Sequence, residues 1–263
     1  MMNTHELTTF IQIWLKGKGL YTGRIDGDFG PKTKQAVAQL NKVPDNWSDR
    51  RKLVGAVQVI CHEMGVDAGK IDGYYGPTTD NAYQRAAFKQ KEGQEPPIWR
   101  PEDINQAKIW PKAYTSEFDS FFGPRATNMV RLTSPYPLRI AWNPNQIVQS
   151  FSIHEKVKDS AERVLTEALK HYGLDGIKKL RLDYFGGCFN KRRIRGGTKW
   201  SMHSWAVAID FDPSNNQLRW GRDKATFARQ EYEAWWKMWE AEGWTSLGRQ
   251  RNFDWMHVQA ADI

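Results

Sequence analysis

Two stretches of this sequence hold the residue types best suited to chemistry: Ser201-Met202-His203-Ser204-Trp205-Ala206-Val207-Ala208-Ile209-Asp210 and Asp254-Trp255-Met256-His257. Together they offer two imidazoles and two carboxylates. A hydrolytic metal centre needs three protein ligands of the His or carboxylate type, an open position for water, and a nearby carboxylate to take that water's proton. The inventory meets that need without dividing the roles among the four. A lone His is more often a surface or satisfied core residue, and His5, His62, His154 and His171 are read that way. His203 and His257 differ because each falls in a paired motif with an Asp, which points to metal binding.

The elements that must position them follow from local pattern. Ala206 to Phe211 is small and β-branched, the composition of a strand with Asp210 on one face. An offset of seven would place His203 on the opposite face of a continuous strand, so His203 belongs to the loop entering it. Trp255 to Gln259 alternates as a second strand, with Asp254 at its start. Two adjacent strands would bring all four groups together. Asp212 shares a face with Asp210, but Pro213-Ser214-Asn215-Asn216 follows it, and it reads as a turn cap outside the metal shell.

The pattern S-x-H-x-x-[GA]-x-A-x-D, followed later by [DE]-x-x-H, resembles the zinc peptidases related to D-alanyl-D-alanine carboxypeptidases and phage L-alanyl-D-glutamate endopeptidases. Hedgehog signalling domains and lysostaphin share that fold. The resemblance spans roughly residues 118 to 261. It implies that His203, Asp210 and His257 hold Zn2+ and that Asp254 is the general base. It also implies an upstream Arg that binds substrate and polarises the scissile carbonyl; Arg192 matches best within Gly186 to Gly197, with Arg193 and Arg195 as alternatives. Ala206 departs from the usual Gly of the motif, which bears on strand packing. The basic run Lys191, Arg192, Arg193 and Arg195 reads equally as a solvated patch for any single member. Tyr232, Trp235, Trp236 and Trp239 recur at helical spacing inside an expected helix from about 223 to 242, and core packing is their reading ahead of a sugar platform.

The first part of the chain is organised differently. Gly23-Arg24-Ile25-Asp26-Gly27-Asp28-Phe29-Gly30-Pro31-Lys32-Thr33 recurs as Gly69-Lys70-Ile71-Asp72-Gly73-Tyr74-Tyr75-Gly76-Pro77-Thr78-Thr79, a period of 46 residues. Apolar residues at helical spacing precede each copy, Asp-Gly supplies a tight turn, and Pro after Gly opens another helix. The unit is helix, structured loop, helix. This pattern resembles the peptidoglycan-binding domain of wall hydrolases, a small three-helix module, over roughly residues 5 to 90. Asp26, Phe29, Asp72 and Tyr75 are the loop residues the resemblance offers as wall contacts, although Phe29 and Tyr75 read first as core aromatics pinning the loop.

Composition bounds the remaining choices. The chain has 263 residues, 40% hydrophobic and 26% charged, enough to bury a core, with a formal charge of +8 that draws it toward polyanions. No helix-turn-helix, zinc-finger or ribonucleoprotein signature accompanies that charge, so nucleic acid is not the expected partner. Cys61 and Cys188 suit reduced thiols rather than a disulfide framework. No apolar stretch approaches the roughly 20 residues of a membrane span, and the first residues lack the basic and apolar regions of a signal peptide.

The expectation is an α+β protein: all-α, three-helix-type wall-binding repeats at 1–43 and 44–90, a linker at 91–115 marked by Glu95-Pro96-Pro97, and a zinc peptidase with a central antiparallel sheet at 116–263. The sequence leaves open whether 98–114 packs on a neighbour. The expected function is that of a bacteriophage endolysin, waiting in the host cytoplasm and then cutting the L-Ala-D-Glu amide of peptidoglycan stem peptides in the periplasm for lysis. Its partner is peptidoglycan, with no membrane insertion, and by analogy it is a monomer. The alternatives are a D-alanyl-D-alanine carboxypeptidase and, from another class, an inactive wall-binding or phage structural protein.

Overall fold

A computed structural model of the chain describes residues 3–96, 104 and 106–263 and divides into two compact units, Met1–Pro97 and Ile98–Ile263. The first unit is helical: α1 (Thr4–Gly17), α2 (Pro31–Val37), α3 (Asp49–Glu63) and α4 (Pro77–Glu92). Asn3 caps α1 by accepting from the amides of His5 and Glu6, and Pro31 and Pro77 open α2 and α4 at positions whose N–H has no helical partner. Each repeat contributes two helices, not the three that the family resemblance implies. After α2 the chain closes through successive three-residue turns, Gln39 to Ala36, Leu40 to Val37 and Val43 to Leu40, and Pro44 then has no amide with which to continue.

Both repeats share one apolar core, in which Leu7, Phe10, Ile11 and Leu15 of the first meet Val57, Ile60, Ala82 and Ala86 of the second. The Phe10 and Tyr83 rings meet edge to face at 5.3 Å, and Gln90 Nε2 donates to the Phe10 carbonyl. The two copies therefore form one folding unit, since each covers the apolar face of the other.

The second unit is α+β. Its elements are α5 (Ser116–Phe122), β1 (Met129–Ile140), β2 (Asn143–His154), α6 (Glu155–Lys179), β3 (Tyr184–Gly187), β4 (Ala208–Phe211), α7 (Glu233–Ala241), β5 (Thr245–Ser246), α8 (Leu247–Arg251) and β6 (His257–Gln259). The six strands form one sheet in the order β2-β1-β3-β4-β6-β5. The sheet is mixed, which corrects the expected antiparallel one: β1 and β3 run parallel, while the other neighbours are antiparallel. The long helix α6 makes this possible, because it carries the chain from β2 to β3 and packs on β1 on the way. Trp235, Trp236, Trp239, Trp244 and Trp255 are fully buried in the core of this unit.

The expected helix over 223–242 is confined to α7, preceded by 3-10 turns at Thr226–Ala228 and Gln230–Tyr232. Asn216 explains the delay: its Oδ1 accepts from the Phe227 amide at 2.7 Å and from Thr226 Oγ1, while the Thr226 amide donates to Asn215. Backbone donors needed for helix nucleation are already taken. Tyr232, Trp235, Trp236 and Trp239 are buried, as core packing requires.

Within the expected linker, residues 106–113 belong to the second unit. Gln106 Nε2 donates to the Gly243 carbonyl and Thr245 Oγ1, Trp110 Nε1 to the Glu242 carbonyl, and the Ala113 amide to Asp262.

Candidate metal centre

The group His203, Asp210 and His257 is assembled by strand register. Asp210 on β4 is the direct partner of His257 on β6, so both side chains leave the same face of the sheet. His203 arrives from a 3-10 turn, Met202–Trp205, that enters β4, as the odd spacing requires. The turn ends at Ala206 in the left-handed region, φ 56° and ψ 35°. A positive φ is a conformation that suits Gly, so what Ala206 bears on is this turn and not strand packing.

One donor atom from each of the three residues lies within 4.8 Å of the others. His203 Nε2 is 3.2 Å and His257 Nδ1 3.0 Å from the same oxygen, Asp210 Oδ1, close to the roughly 3.3 Å between tetrahedral ligands bound at about 2.0–2.1 Å. The outward nitrogens are fixed by acceptors: His203 Nδ1 is 2.8 Å from the Cys188 carbonyl, and His257 Nε2 is 3.1 Å from Gln259 Oε1. Each outward nitrogen must then carry the proton, leaving the inward lone pair free for a cation. His203 Nε2 is buried without a hydrogen bond, which a metal ion would satisfy. The donor set fits a divalent transition-metal ion. Gln259 could have been read from the sequence, since it lies two residues along the same strand face from His257.

The electrostatics follow from this packing. Burial opposes ionisation of Asp210, but the adjacent His203 and His257 hold its carboxyl below the usual range. Burial likewise pushes His257 down, and its hydrogen bond to Asp210 with the charges of Asp210 and Asp254 outweighs this, leaving it at about 8. The negative charges of Asp210 and Asp254 that favour a proton on His257 would equally favour a metal cation in its place.

Asp254 stands at the mouth of the turn into β6, with φ 54°, its amide donating to Leu218 and its carbonyl accepting from the His257 amide. Burial, reinforced by Asp210, raises its pKa, against the opposing charges of His257, His203 and Arg192. Asp254 Oδ1 is buried with no hydrogen-bond partner. A carboxylate so placed is unsatisfied until a proton or a water reaches it.

Arg192 lies on the loop after β3, exposed, with its amide donating to Ser204 Oγ and its carbonyl accepting from the Ser201 amide. Its guanidinium charge favours the ionised form of Asp254, the weakest of the influences on that carboxyl. Arg193 instead stacks on Trp200 and donates to the Thr198 carbonyl, and Arg195 is exposed. Asp212 stays outside the group, in a bidentate ion pair with Arg181 at 2.7 and 2.8 Å. Sequence reasoning missed Arg125, whose guanidinium carbon lies 4.6 Å from the Trp200 ring and 5.4 Å from that of Trp205. Nothing in its local pattern marks it.

In the helical unit the loop residues serve a shared network. Gln12 Nε2 donates to Asp26 Oδ1, the Asp28 carbonyl and Thr33 Oγ1, while its Oε1 accepts from the amides of Asp26 and Gly27. Gln58 does the same 46 residues later, with Asp72 Oδ1, the Tyr74 carbonyl, Thr79 Oγ1 and the amides of Asp72 and Gly73. Asp26 and Asp72 thus staple the loop. Phe29 and Tyr75 are half-buried against the core, and Tyr75 donates to Asp80 Oδ1 at 2.6 Å. The repeat period superposes Gln12 on Gln58, and that was the available signal.

No helix among the described residues is long and apolar enough to cross a membrane. No curated protein and no solved structure matches the chain. Residues 4–42 match a family model described as a putative peptidoglycan binding domain. Residues 4–42 are accordingly similar to a peptidoglycan-binding domain, and the α+β unit carries His203, Asp210 and His257 in an arrangement that could hold a metal ion.

Proposed function

We propose that the chain is a zinc-dependent endopeptidase of bacterial peptidoglycan, acting as an endolysin that hydrolyses the L-Ala-D-Glu amide of the stem peptide. The observation that carries this reading is the convergence of His203, Asp210 and His257 around one point, with the unpartnered carboxylate oxygen of Asp254 buried nearby. The wall-binding N-terminus supplies the substrate class, and the second repeat, with its equivalent Gln58 network, is proposed to share in wall binding. Tethering to an insoluble polymer raises the local substrate concentration without altering the chemistry.

His203, Asp210 and His257 would hold the ion, with Cys188 and Gln259 fixing the imidazole tautomers. The ion would supply Lewis acidity and a water acidified toward about pH 7. Asp254, its pKa raised by burial, takes a proton from the attacking water and delivers it to the leaving amine. Arg192 stabilises the negative charge that develops on the carbonyl oxygen.

Mass spectrometry of muropeptides digested by the full chain tests the reading. A new N-terminal D-Glu is the expected product. Loss of a terminal D-Ala alone would assign a carboxypeptidase, and wall binding without any cleavage would assign a non-catalytic binder.

A further inference from the structure

The loops around the His203 turn carry Arg125, Arg192, Arg193 and Arg195. None of them pairs with a carboxylate among the described residues. Arg125 and Arg193 approach the same indole, with guanidinium carbons 4.6 and 4.8 Å from the Trp200 ring centroid, which places two like charges within a Debye length, about 10 Å, of each other. Among the described residues no carboxylate lies within ion-pair distance of either to offset their mutual repulsion. Trp200 is half-buried and its carbonyl accepts from Tyr114 Oη at 3.0 Å, which anchors the residue that both cations approach as a platform.

The same platform is tied to the metal centre. On one side, the Ala126 amide donates to the Ser204 carbonyl at 3.0 Å and Trp205 Nε1 donates to the Gly123 carbonyl at 2.9 Å, which pins the Arg125 loop to the turn carrying His203. On the other, the Ser201 amide and Ser204 Oγ both donate to the Arg192 carbonyl at 3.0 and 2.9 Å, which pins the Arg193 loop to that turn. Two uncompensated cations are therefore held at a set position relative to the ligands, on loops that rim the centre.

We infer that Arg125 and Arg193, held on Trp200, form a carboxylate subsite that selects an acidic peptide and orients its amide over the His203–Asp210–His257 group. This inference rests on the peptidase reading and deepens it by naming the substrate feature recognised. Guanidinium groups suit the task because their planar forks match a carboxylate and stay charged when stacked on an aromatic ring. A stem peptide carries two such groups, the α-carboxylate of its glutamyl residue and the C-terminal carboxylate, and either would fit.

The test is equilibrium binding of synthetic stem peptides to the full zinc-loaded chain carrying Asp254→Ala, which blocks turnover but leaves the rim intact. Three peptides are compared: one unmodified, one with the glutamyl α-carboxylate amidated, and one with the C-terminus amidated. One amidation is expected to weaken binding about 10-fold or more, the scale of a charge-assisted hydrogen bond, and to identify which carboxylate is read. Arg125→Ala or Arg193→Ala, added to Asp254→Ala, should weaken binding of the unmodified peptide by a similar factor while leaving that amidated peptide unchanged. Arg125→Lys should restore part of the loss. Equal affinity for all three peptides, or an amidation effect that survives both Arg variants, would overturn the subsite. Because binding needs no cleavage, a chain that discriminates these peptides yet never cuts wall would sink the peptidase reading alone.

Discussion

In the proposed mechanism Asp254 is the residue on which chemistry and stability pull apart. Its Oδ1 is buried without a partner and its backbone occupies the left-handed region, both of which cost folding free energy. Asp254→Asn removes the charge and keeps a side chain that tolerates positive φ. It should raise stability by about 1 kcal/mol in denaturant titration while lowering turnover by about 10²–10⁴-fold, with metal content unchanged. A variant that stays active would remove Asp254 from the proton-transfer role. At this scale His203, Asp210 and His257 were legible because the chain has only 6 histidines and these two each fall in a motif with an Asp. Arg125 was not, since an Arg in a loop says nothing until the fold sets it against Trp200. The left-handed backbone of Ala206 was likewise hidden, because a φ of 56° belongs to the turn and leaves no trace in hydrophobic pattern.

Among the elements, the loop of each repeat is held less by its own residues than by one glutamine on the preceding helix. Gln58 is buried and engages five groups of the Asp72–Thr79 loop. Gln58→Leu keeps the volume but strands the amides of Asp72 and Gly73, and should destabilise the helical unit by about 2–4 kcal/mol in thermal or denaturant unfolding. A loss below about 0.5 kcal/mol would show that the staple is dispensable. The helices of this unit and the strands β4 and β6 could be read from period and turn chemistry. The helix expected from 223 failed at its first two turns because Asn215 and Asn216, distant in pattern, capture the donors of Thr226 and Phe227. The parallel pairing of β1 with β3 was equally invisible, being set by how α6 returns the chain to the sheet.

Across the whole molecule, two separate cores underlie the two units, and the repeats share one of them. The helical unit should respond to acid through Asp26 and Asp72. Hydrogen bonds from Gln12 and from the Asp28 amide lower the pKa of Asp26; the Tyr74 amide and Gln58 do so for Asp72. A depressed folded-state pKa contributes stability that is present above the ordinary carboxyl range and is lost as pH falls through the folded value. Unfolding of this unit should therefore grow easier below about pH 4, and Asp26→Asn with Asp72→Asn should flatten that dependence. An unchanged acid slope in the double variant would place the sensitivity elsewhere.

The central claim is that His203, Asp210 and His257 hold one catalytic ion, and elemental analysis of the purified full chain addresses it most directly. The account predicts about one zinc per chain, falling to near zero in Asp210→Ala while the fold, followed by circular dichroism, is retained. A folded wild-type chain that binds no zinc, or an Asp210→Ala chain that binds as much as the wild type, would contradict it.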